Sequence, residues 1–182
     1  MARLKTVIHV HTHYSYDSDR SPEDLVRAAR RAGVDCVAVT DHNEIAGALA
    51  ARALGGVQII VGEEITSADG HIIGLFLHER VPPGLSAEAT AQRIHDQGGL
   101  VLAPHPFTIL CDRSLGPHAL ARLRPWLDAV EVCNAQDFLP WENARARRYA
   151  AEPVSPTGFQ RRGCVRVASA TPPPRSRCLR RC

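Results

Sequence analysis

The sequence predicts an α/β fold in which a parallel sheet forms a small, distorted β/α barrel that is closed or nearly closed. Short apolar segments alternate with segments of helical spacing, each about a dozen residues long, which is typical of parallel strands joined by right-handed crossovers. Metal-binding types of side chain follow several of the apolar segments, as at the carboxyl-terminal face of such barrels. Because 182 residues are too few for a full set of eight units, we expect the last strand and helix to be missing.

The first third of the chain predicts the order β-α-β-α-β. A strand over 6–11 precedes a helix that starts after Ser21, because Ser21 offers an N-cap hydroxyl and Pro22 suits the first helical position. Gly33 marks the end of that helix. The elements that follow are a strand over 35–40, an alanine-rich helix over 45–54 and a strand over 57–61.

The rest of the predicted barrel begins with a short strand and then returns to the alternating order. We expect a strand over 72–77, a helix over 86–97, a strand over 100–103, a helix over 117–123, a strand over 129–133 and a helix over 141–151. Ser86 caps the first of these helices, and Gly98 and Gly99 end it. These elements make five or six β/α units.

The composition changes near residue 152. Residues 1–152 carry 15 basic and 19 acidic side chains, a net charge of −4, whereas 153–182 carry seven arginines and no acid. The second segment also holds five of the thirteen prolines. We therefore expect one domain over 1–152, and a tail over 153–182 that is disordered or translated in a shifted reading frame from near Pro153.

The sequence predicts a cytoplasmic protein that does not enter a membrane. The apolar segments fall well short of the roughly 20 residues of a membrane helix, and the N-terminus lacks the pattern of a secretory signal. The six cysteines are scattered, without a CxxC pair, so we expect reduced thiols. The basic tail offers only Phe159 for base stacking, and we therefore disfavour nucleic acid as a partner. Oligomeric state is left open.

Candidate metal ligands accompany the first three predicted strands. His9 and His11 are two apart in a strand, so their side chains point to one face and can bind one ion. The next two strands are directly followed by Asp41 and His42, and by Gly62, Glu63 and Glu64. A lone histidine is more often a packed or solvated imidazole. Repetition of the same placement at three strands favours a metal site instead.

Four separated motifs, in order, resemble those of the PHP family, the polymerase and histidinol phosphatase metallohydrolases. The resemblance covers about residues 6–151. Its motifs are Ile8-His9-Val10-His11-Thr12 with Asp17, Thr40-Asp41-His42, Gly62-Glu63-Glu64-Ile65 followed by Gly70-His71-Ile72, and Pro104-His105-Pro106. An isolated His-x-His would be a weak signal, whereas four motifs in this order are specific.

The resemblance implies a set of metal ligands and a bridging carboxylate. Glu64 is preferred to Glu63 as the bridge because the family's acid directly precedes an Ile-Ser/Thr pair, here Ile65-Thr66. The implied cofactors are two or three divalent ions, Zn, Mn or Fe. The implied ligands are His9, His11, Asp17, His42, Glu64, His71 and His105.

Such a centre predicts metal-dependent hydrolysis of a small phosphorylated substrate, a phosphomonoester or small phosphodiester. Histidine and carboxylate ligands suit Zn, Mn or Fe, and ions that share Glu64 can hold a bridging hydroxide as the nucleophile. Arg20 and Arg113 lie in loops near the ligands and are candidates to bind the ester's free oxygens, with Arg113 placed among the catalytic residues. Asp41 and Glu64 are also placed among the catalytic residues, and Asp41 either orients His42 or caps the strand end.

The family's ligand set usually ends with Asp-x-His after a late strand, and this chain has no Asp or His after Asp137. The alternative function is therefore a catalytically impaired metal-binding remnant without turnover. A shifted frame predicts that another reading frame of the DNA encodes an apolar strand followed by Asp-x-His. The amidohydrolase superfamily also begins with His-x-His but often uses a bridging carboxylated lysine. The only lysine, Lys5, precedes His9, which excludes that version.

Overall fold

The computed structural model describes residues 4–108, 113–134, 139–151 and 165–168. The described strands are β1 (Thr6–Val10), β2 (Cys36–Val39), β3 (Gln58–Ser67), β4 (Gly70–Leu75), β5 (Leu100–Ala103), β6 (Ala129–Cys133) and β7 (Val165–Ala168). The described α-helices are α1 (Pro22–Arg31), α2 (Ala46–Leu54), α3 (Ala87–Asp96), α4 (Pro117–Leu123) and α5 (Pro140–Ala151). A short 3-10 helix, Arg124–Trp126, follows α4. The predicted order of strands and helices is confirmed.

The strands form one sheet in chain order, from β1 to β7, which curls into an open half-barrel. The predicted small β/α barrel is therefore confirmed. The sheet is not parallel throughout, however. The pairs β1–β2, β2–β3, β5–β6 and β6–β7 are parallel, whereas β4 runs antiparallel to both of its neighbours.

A hairpin between β3 and β4 causes this departure from the predicted parallel sheet. β3 does not end at residue 61 but continues to Ser67, and the chain returns after two residues into β4 at Gly70. The absence of a side chain at Gly62 permits the close approach of β4, because an added Cβ would lie 2.9 Å from the carbonyl oxygen of Gly74. Glu64 consequently lies within a strand, whereas the sequence predicted it just after one.

Two apolar layers flank the sheet. The larger layer packs Val39, Val61 and Ile65 against helix residues such as Leu25, Ala48 and Ile94. A smaller cluster on the other face joins Ala38, Ile73, Leu75, Leu102 and Ala129. Since side chains alternate along a strand, Glu63 shares the helix-packed face of Ile65, and Glu64 shares the face of Ile73, its partner in β4.

The predicted helix caps are present in α1 and α3. The hydroxyl of Ser21 accepts a hydrogen bond from the Asp24 backbone N–H at 3.1 Å, and Ser86 accepts one from the Ala89 N–H at 3.2 Å. Each bond satisfies one of the N–H groups that the first helical turn leaves without a partner. The caps fix where each helix leaves the preceding loop.

The tail contributes one strand that the sequence did not predict. β7 pairs in parallel with β6, with Ala129 opposite Val165 and Glu131 opposite Val167. Residues 152–164 and 169–182 lie outside the described residues, so a division into a domain and a disordered or frame-shifted tail stays a prediction. Among the helices that the structure describes, none has the length and apolar character needed to cross a membrane.

Glu63 is expected to make stability depend on pH. Its side chain is fully buried, and burial raises the pKa to about 7, although the Val81 N–H at 2.8 Å and nearby Arg80 act to lower it. A carboxyl with a raised native pKa stabilises the fold fully below its unfolded pKa, and this contribution disappears as pH rises to about 7. The ionisation of Glu63 should lower the unfolding free energy of the wild-type protein by about 3 kcal/mol between pH 4 and pH 8. Glutamine mimics the neutral acid and does not ionise, so the Glu63→Gln variant should lack this decrease.

Urea unfolding of both proteins at pH 4 and pH 8 measures this effect. The metal ligands titrate in both proteins, so only the difference between the two pH dependences reports on Glu63. An equal loss of stability in the two proteins would show that Glu63 does not carry the shifted pKa.

Candidate metal centre

The carboxylate of Glu64 lies where several of the predicted ligands meet. Its Oε2 atom is 2.9 Å from His9 Nε2, 3.0 Å from His11 Nε2 and 3.5 Å from His42 Nε2. These histidines come from the end of β1, the loop after β1 and the loop after β2. The distances are short enough for shared ligation of one or more ions.

The other oxygen of the same carboxylate has histidine neighbours of its own. Glu64 Oε1 is 3.1 Å from His71 Nδ1 in β4 and 3.1 Å from His105 Nε2, which lies just after β5. Glu64 is almost fully buried; burial would raise its pKa, but the neighbouring imidazoles hold that pKa well below its usual value. An ionised carboxylate with nitrogen donors around both oxygens has the arrangement of a bridging ligand.

Asp17 extends the cluster toward solvent. Its carboxylate oxygens lie 2.9 Å and 3.0 Å from His11 Nδ1, and one of them lies 3.6 Å from His42 Nε2. The Ser15 hydroxyl donates to Asp17 at 2.6 Å and accepts from the His42 backbone N–H at 3.1 Å. Partial burial acts to raise the pKa of Asp17, but the two histidines hold it far below its ordinary range. Asp17 is therefore an anionic donor beside the histidines.

Three overlapping groups have the composition and spacing of metal sites. In each group, one ligand atom per residue lies within 4.8 Å of the others: His9, His11 and Glu64; His11, Asp17 and His42; and His42, Glu64 and His71. Imidazole with carboxylate is a donor set that suits Zn, Mn and Fe. His11 Nε2 is buried and makes no hydrogen bond within the described part of the chain, although Glu64 is close. A buried nitrogen of this kind fits a metal ligand.

Backbone strain accompanies two of the predicted ligands. His9 has a φ of +69° and His105 a φ of +26°, in the region that side chains with a Cβ rarely adopt. β1 ends at Val10 with a shifted register between Val7 and Val10. Simple strand alternation, predicted for His9 and His11, therefore does not describe this segment. The distorted strand end brings both rings to Glu64 instead.

The structure corrects the expected partner of Asp41. Its buried carboxylate accepts hydrogen bonds from the backbone N–H of Thr12 at 2.5 Å and from the Thr12 hydroxyl at 2.7 Å. Both oxygens thus face Thr12 and not the imidazole of His42, which was the partner in one of the two roles predicted for Asp41. Asp41 instead fixes the residue directly after His11. A catalytic role for Asp41 stays a prediction.

The two candidate arginines lie in loops that adjoin the ligands. Arg113 is exposed, and its backbone carbonyl accepts a hydrogen bond from the backbone N–H of His71 at 2.8 Å. Arg20 is also exposed, and its carbonyl accepts from the His13 N–H at 2.8 Å. Binding of substrate by either guanidinium stays a prediction. His13 is exposed and stacks on Tyr14, as expected for a loop histidine outside the ligand set.

Sequence reasoning missed Glu131. This residue of β6 is 2% exposed, and its carboxylate lies 3.3 Å from His9 Nδ1. It also accepts hydrogen bonds from the His105 backbone N–H at 2.8 Å and from Asn134 Nδ2 at 2.9 Å. Burial would raise its pKa, but His9 and His105 hold that pKa at about 2. The sequence feature that could have identified Glu131 is the presence of one acidic residue within the apolar strand Ala129–Cys133.

Tyr16 is a second residue that the sequence did not place near the ligands. Its ring stacks on the imidazole of His42, with ring centroids 4.7 Å apart and an interplanar angle of 20°. The residue is 79% exposed. An aromatic side chain thus stands at the solvent side of the histidine cluster.

Comparison with known proteins places these residues within a family. The model of the PHP domain matches residues 8–123. An uncharacterized protein of Methanocaldococcus jannaschii is 40% identical over 145 residues, which are 72% of this chain and 82% of that protein. The phosphoribosyl 1,2-cyclic phosphate 1,2-diphosphodiesterase of Eggerthella lenta is 40% identical over 84 residues, 41% of this chain and only 32% of the enzyme.

A solved structure has the same fold. The crystal structure of a Bifidobacterium adolescentis protein named "putative metal-dependent phosphoesterase" superposes with a TM-score of 0.67 and 18% identity, over 82% of this chain and 84% of that one. Identity this low supports the fold and not the activity. The family match is independent of it, spans most of the chain and includes all seven predicted ligands. The chain therefore belongs to the PHP domain family.

Proposed function

We propose that the protein is a metal-dependent phosphoesterase. The observation that carries this proposal is the carboxylate of Glu64, which has histidine nitrogens within 3.1 Å of each of its oxygens. A carboxylate surrounded in this way can be shared between two ions, and ions held close together suit the displacement of an ester at phosphorus. The Eggerthella lenta relative is named as a diphosphodiesterase, an enzyme that acts on phosphate esters.

The chain's residues would hold two or three divalent ions, Zn, Mn or Fe. His9, His11 and Glu64 offer one set of donors, His42, Glu64 and His71 a second, and His11, Asp17 and His42 a third. Bound ions at this centre would supply Lewis acidity toward a phosphoryl group and lower the pKa of a water molecule. Glu64, His11 and His42 belong to more than one set, so these residues would fix the spacing between ions.

Charge explains why this centre needs ions before it can accept a phosphate ester. Glu64, Asp17 and Glu131 place three carboxylates around the histidines, and their pKa values are all held low. Against the effect of burial, the same carboxylates raise the pKa of His9 and of His11. Two protonated histidines would offset only part of the three negative charges, and the remainder repels an anionic ester. Two divalent ions outweigh the three negative charges and make the centre attractive to phosphate.

We propose a small phosphorylated molecule as the substrate. The exposed ring of Tyr16 beside His42 would contact the part of the substrate that extends toward solvent. Arg113 and Arg20, in the adjoining loops, are the proposed partners of the free phosphate oxygens. A cytoplasmic location remains part of this proposal, and nucleic acid stays a disfavoured partner.

The second candidate is a metal-binding remnant without turnover, which the lack of any Asp or His after Asp137 favours. Substitution of His9 and His11 by alanine separates the two candidates. We expect the double variant to lose bound metal and to hydrolyse phosphate esters more than about 100-fold more slowly, because direct ligands should matter more than the outer partners of a metal site. A remnant would lose metal with no hydrolysis to lose.

Elemental analysis and a panel of phosphate esters, assayed with Mn and with Zn, measure both effects. His13→Ala is the matched control, since His13 is an exposed histidine only two residues beyond His11 and should keep metal and activity. Hydrolysis by the wild-type protein that persists in a chelator, or that the double variant retains, would contradict a metal-dependent activity.

A further inference from the structure

One buried carboxylate, that of Glu131, contacts both of the histidines that have strained backbones. It lies 3.3 Å and 3.4 Å from His9 Nδ1 through its two oxygens, and its Oε2 accepts the backbone N–H of His105 at 2.8 Å. His9 and His105 have φ angles of +69° and +26°. Conformations of this kind cost about 1–3 kcal/mol each and persist only where surrounding contacts hold them.

The chemistry of the contact with His9 determines which ring nitrogen faces Glu64. A carboxylate can accept the hydrogen bond of an N–H at Nδ1, the His9 nitrogen that Glu131 contacts. The other nitrogen, Nε2, lies on the side of the predicted ligands, 2.9 Å from Glu64, so with an ion bound there Nε2 would be the ligand atom and Nδ1 would keep its proton for Glu131. A neutral histidine can bind an ion only through the lone pair of the ring nitrogen that carries no proton.

Glu131 is itself held from the next helix. Asn134 Nδ2 donates to Glu131 Oε2 at 2.9 Å, and the Asn134 backbone N–H donates to Asn143 Oδ1 at 2.8 Å. Asn143 in α5 also donates to the Asn134 carbonyl at 3.2 Å. These bonds connect α5, through β6, to two of the predicted ligands. The Glu131 side chain is therefore fixed on more than one side.

We propose that Glu131 is a positioning residue of the metal centre, which sets the tautomer of His9 and holds the backbone of His105. The proposal rests on the metal centre of the proposed function but not on turnover. Glu131 lies beyond residues 8–123, the span of the family match. It therefore adds a carboxylate on the side of His9 and His105, in a chain that has no Asp or His after Asp137.

The test uses Glu131→Gln, which keeps the size of the side chain. A carboxylate can only accept hydrogen bonds, whereas the glutamine amide can also donate them. Metal affinity is measured by competition with a chelator, using Zn²⁺ as the probe, and the His9 tautomer by ¹⁵N chemical shifts of the ring. In the Zn²⁺-bound wild-type protein we expect His9 to carry its proton on Nδ1, and we expect the variant to bind Zn²⁺ roughly 10–100-fold more weakly. Retention of wild-type Zn²⁺ affinity and His9 tautomer in the variant would overturn the proposal.

Glu142→Gln is the matched control. Glu142 is equally buried, and its carboxylate accepts a hydrogen bond at 3.2 Å from the N–H of Leu139, just before α5. Its substitution should leave Zn²⁺ affinity and the His9 ring unchanged, whatever it costs in stability. If Glu131→Gln does not fold, the ring of His9 in the Zn²⁺-bound wild-type protein provides the test: a proton on Nε2 and none on Nδ1 would overturn the proposal. A protein that binds Zn²⁺ as expected but hydrolyses no ester would refute the phosphoesterase and leave this role of Glu131 standing.

Discussion

Replacement of Glu64 by glutamine is expected to abolish the metal centre. The carboxylate lies within 3.5 Å of five histidines, which come from different strands and loops. Glutamine keeps the shape but offers one weak oxygen donor and no charge. The loss of metal affinity should exceed the roughly 10–100-fold that the loss of an outer partner costs. Hydrolysis should fall below detection with it.

Glu63→Gln is the control for this substitution. Glu63 is adjacent to Glu64, of the same type and equally buried, but its side chain faces the helices and accepts from Val81. Its high pKa makes it largely neutral already at pH 6, so glutamine changes little there. Elemental analysis after dialysis should show bound ions in the Glu63 variant and not in the Glu64 variant. A Glu64 variant that retains two ions per chain would rule out the bridging role.

The grouping of the ligands was predictable from the sequence for a physical reason. Residues that follow parallel strands meet at one end of the sheet, whatever the details of the strands between them. His42 and His105 follow β2 and β5, so their approach to Glu64 needs only the correct order of elements. The same argument does not specify which atoms meet, and the roles of Arg113 and Asp41 depend on such detail.

The β3–β4 hairpin was harder to predict from the sequence, because a glycine such as Gly62 usually marks the end of a strand. Glycine is unfavourable within strands unless another backbone approaches closely, and at Gly62 the close backbone is that of Gly74. The approach of β4 is a tertiary contact and is not encoded in local spacing. Asp69 and Gly70 nevertheless supply a turn signal between two alternating segments, and they mark the position where the chain reverses.

Glu131 illustrates a different limit. A single acid in an apolar strand is consistent with a solvent-facing position as well as with a buried one. Its contacts are with a residue 122 positions earlier in the chain and with a backbone N–H, which carries no side-chain signature. The backbone strain at His9 and His105 likewise cannot be predicted from the sequence, because it arises from the structure that surrounds those residues.

Gly47→Ala is expected to destabilise the protein strongly, although alanine is the better helix former. Gly47 lies in α2, where the exchange would by itself stabilise an exposed helix by up to about 1 kcal/mol. Here an added Cβ would overlap the Asp41 carboxylate and the Thr12 hydroxyl, two groups that are fully buried and hydrogen-bonded to each other. Overpacking costs about 1–3 kcal/mol, and a broken buried hydrogen bond about as much again.

The net loss in unfolding free energy should therefore be about 2–5 kcal/mol, measured by urea unfolding of the metal-free protein. Gly116→Ala is the control, because an added Cβ there has open space within 4 Å and the φ of −66° suits any residue. Its cost should stay within about 1 kcal/mol. Since Thr12 directly follows His11, the Gly47 variant should also bind Zn²⁺ more weakly than the Gly116 variant. A Gly47 variant as stable as the wild type would mean that Asp41 and Thr12 can separate freely, and that their bonds do not hold the His11 loop in place.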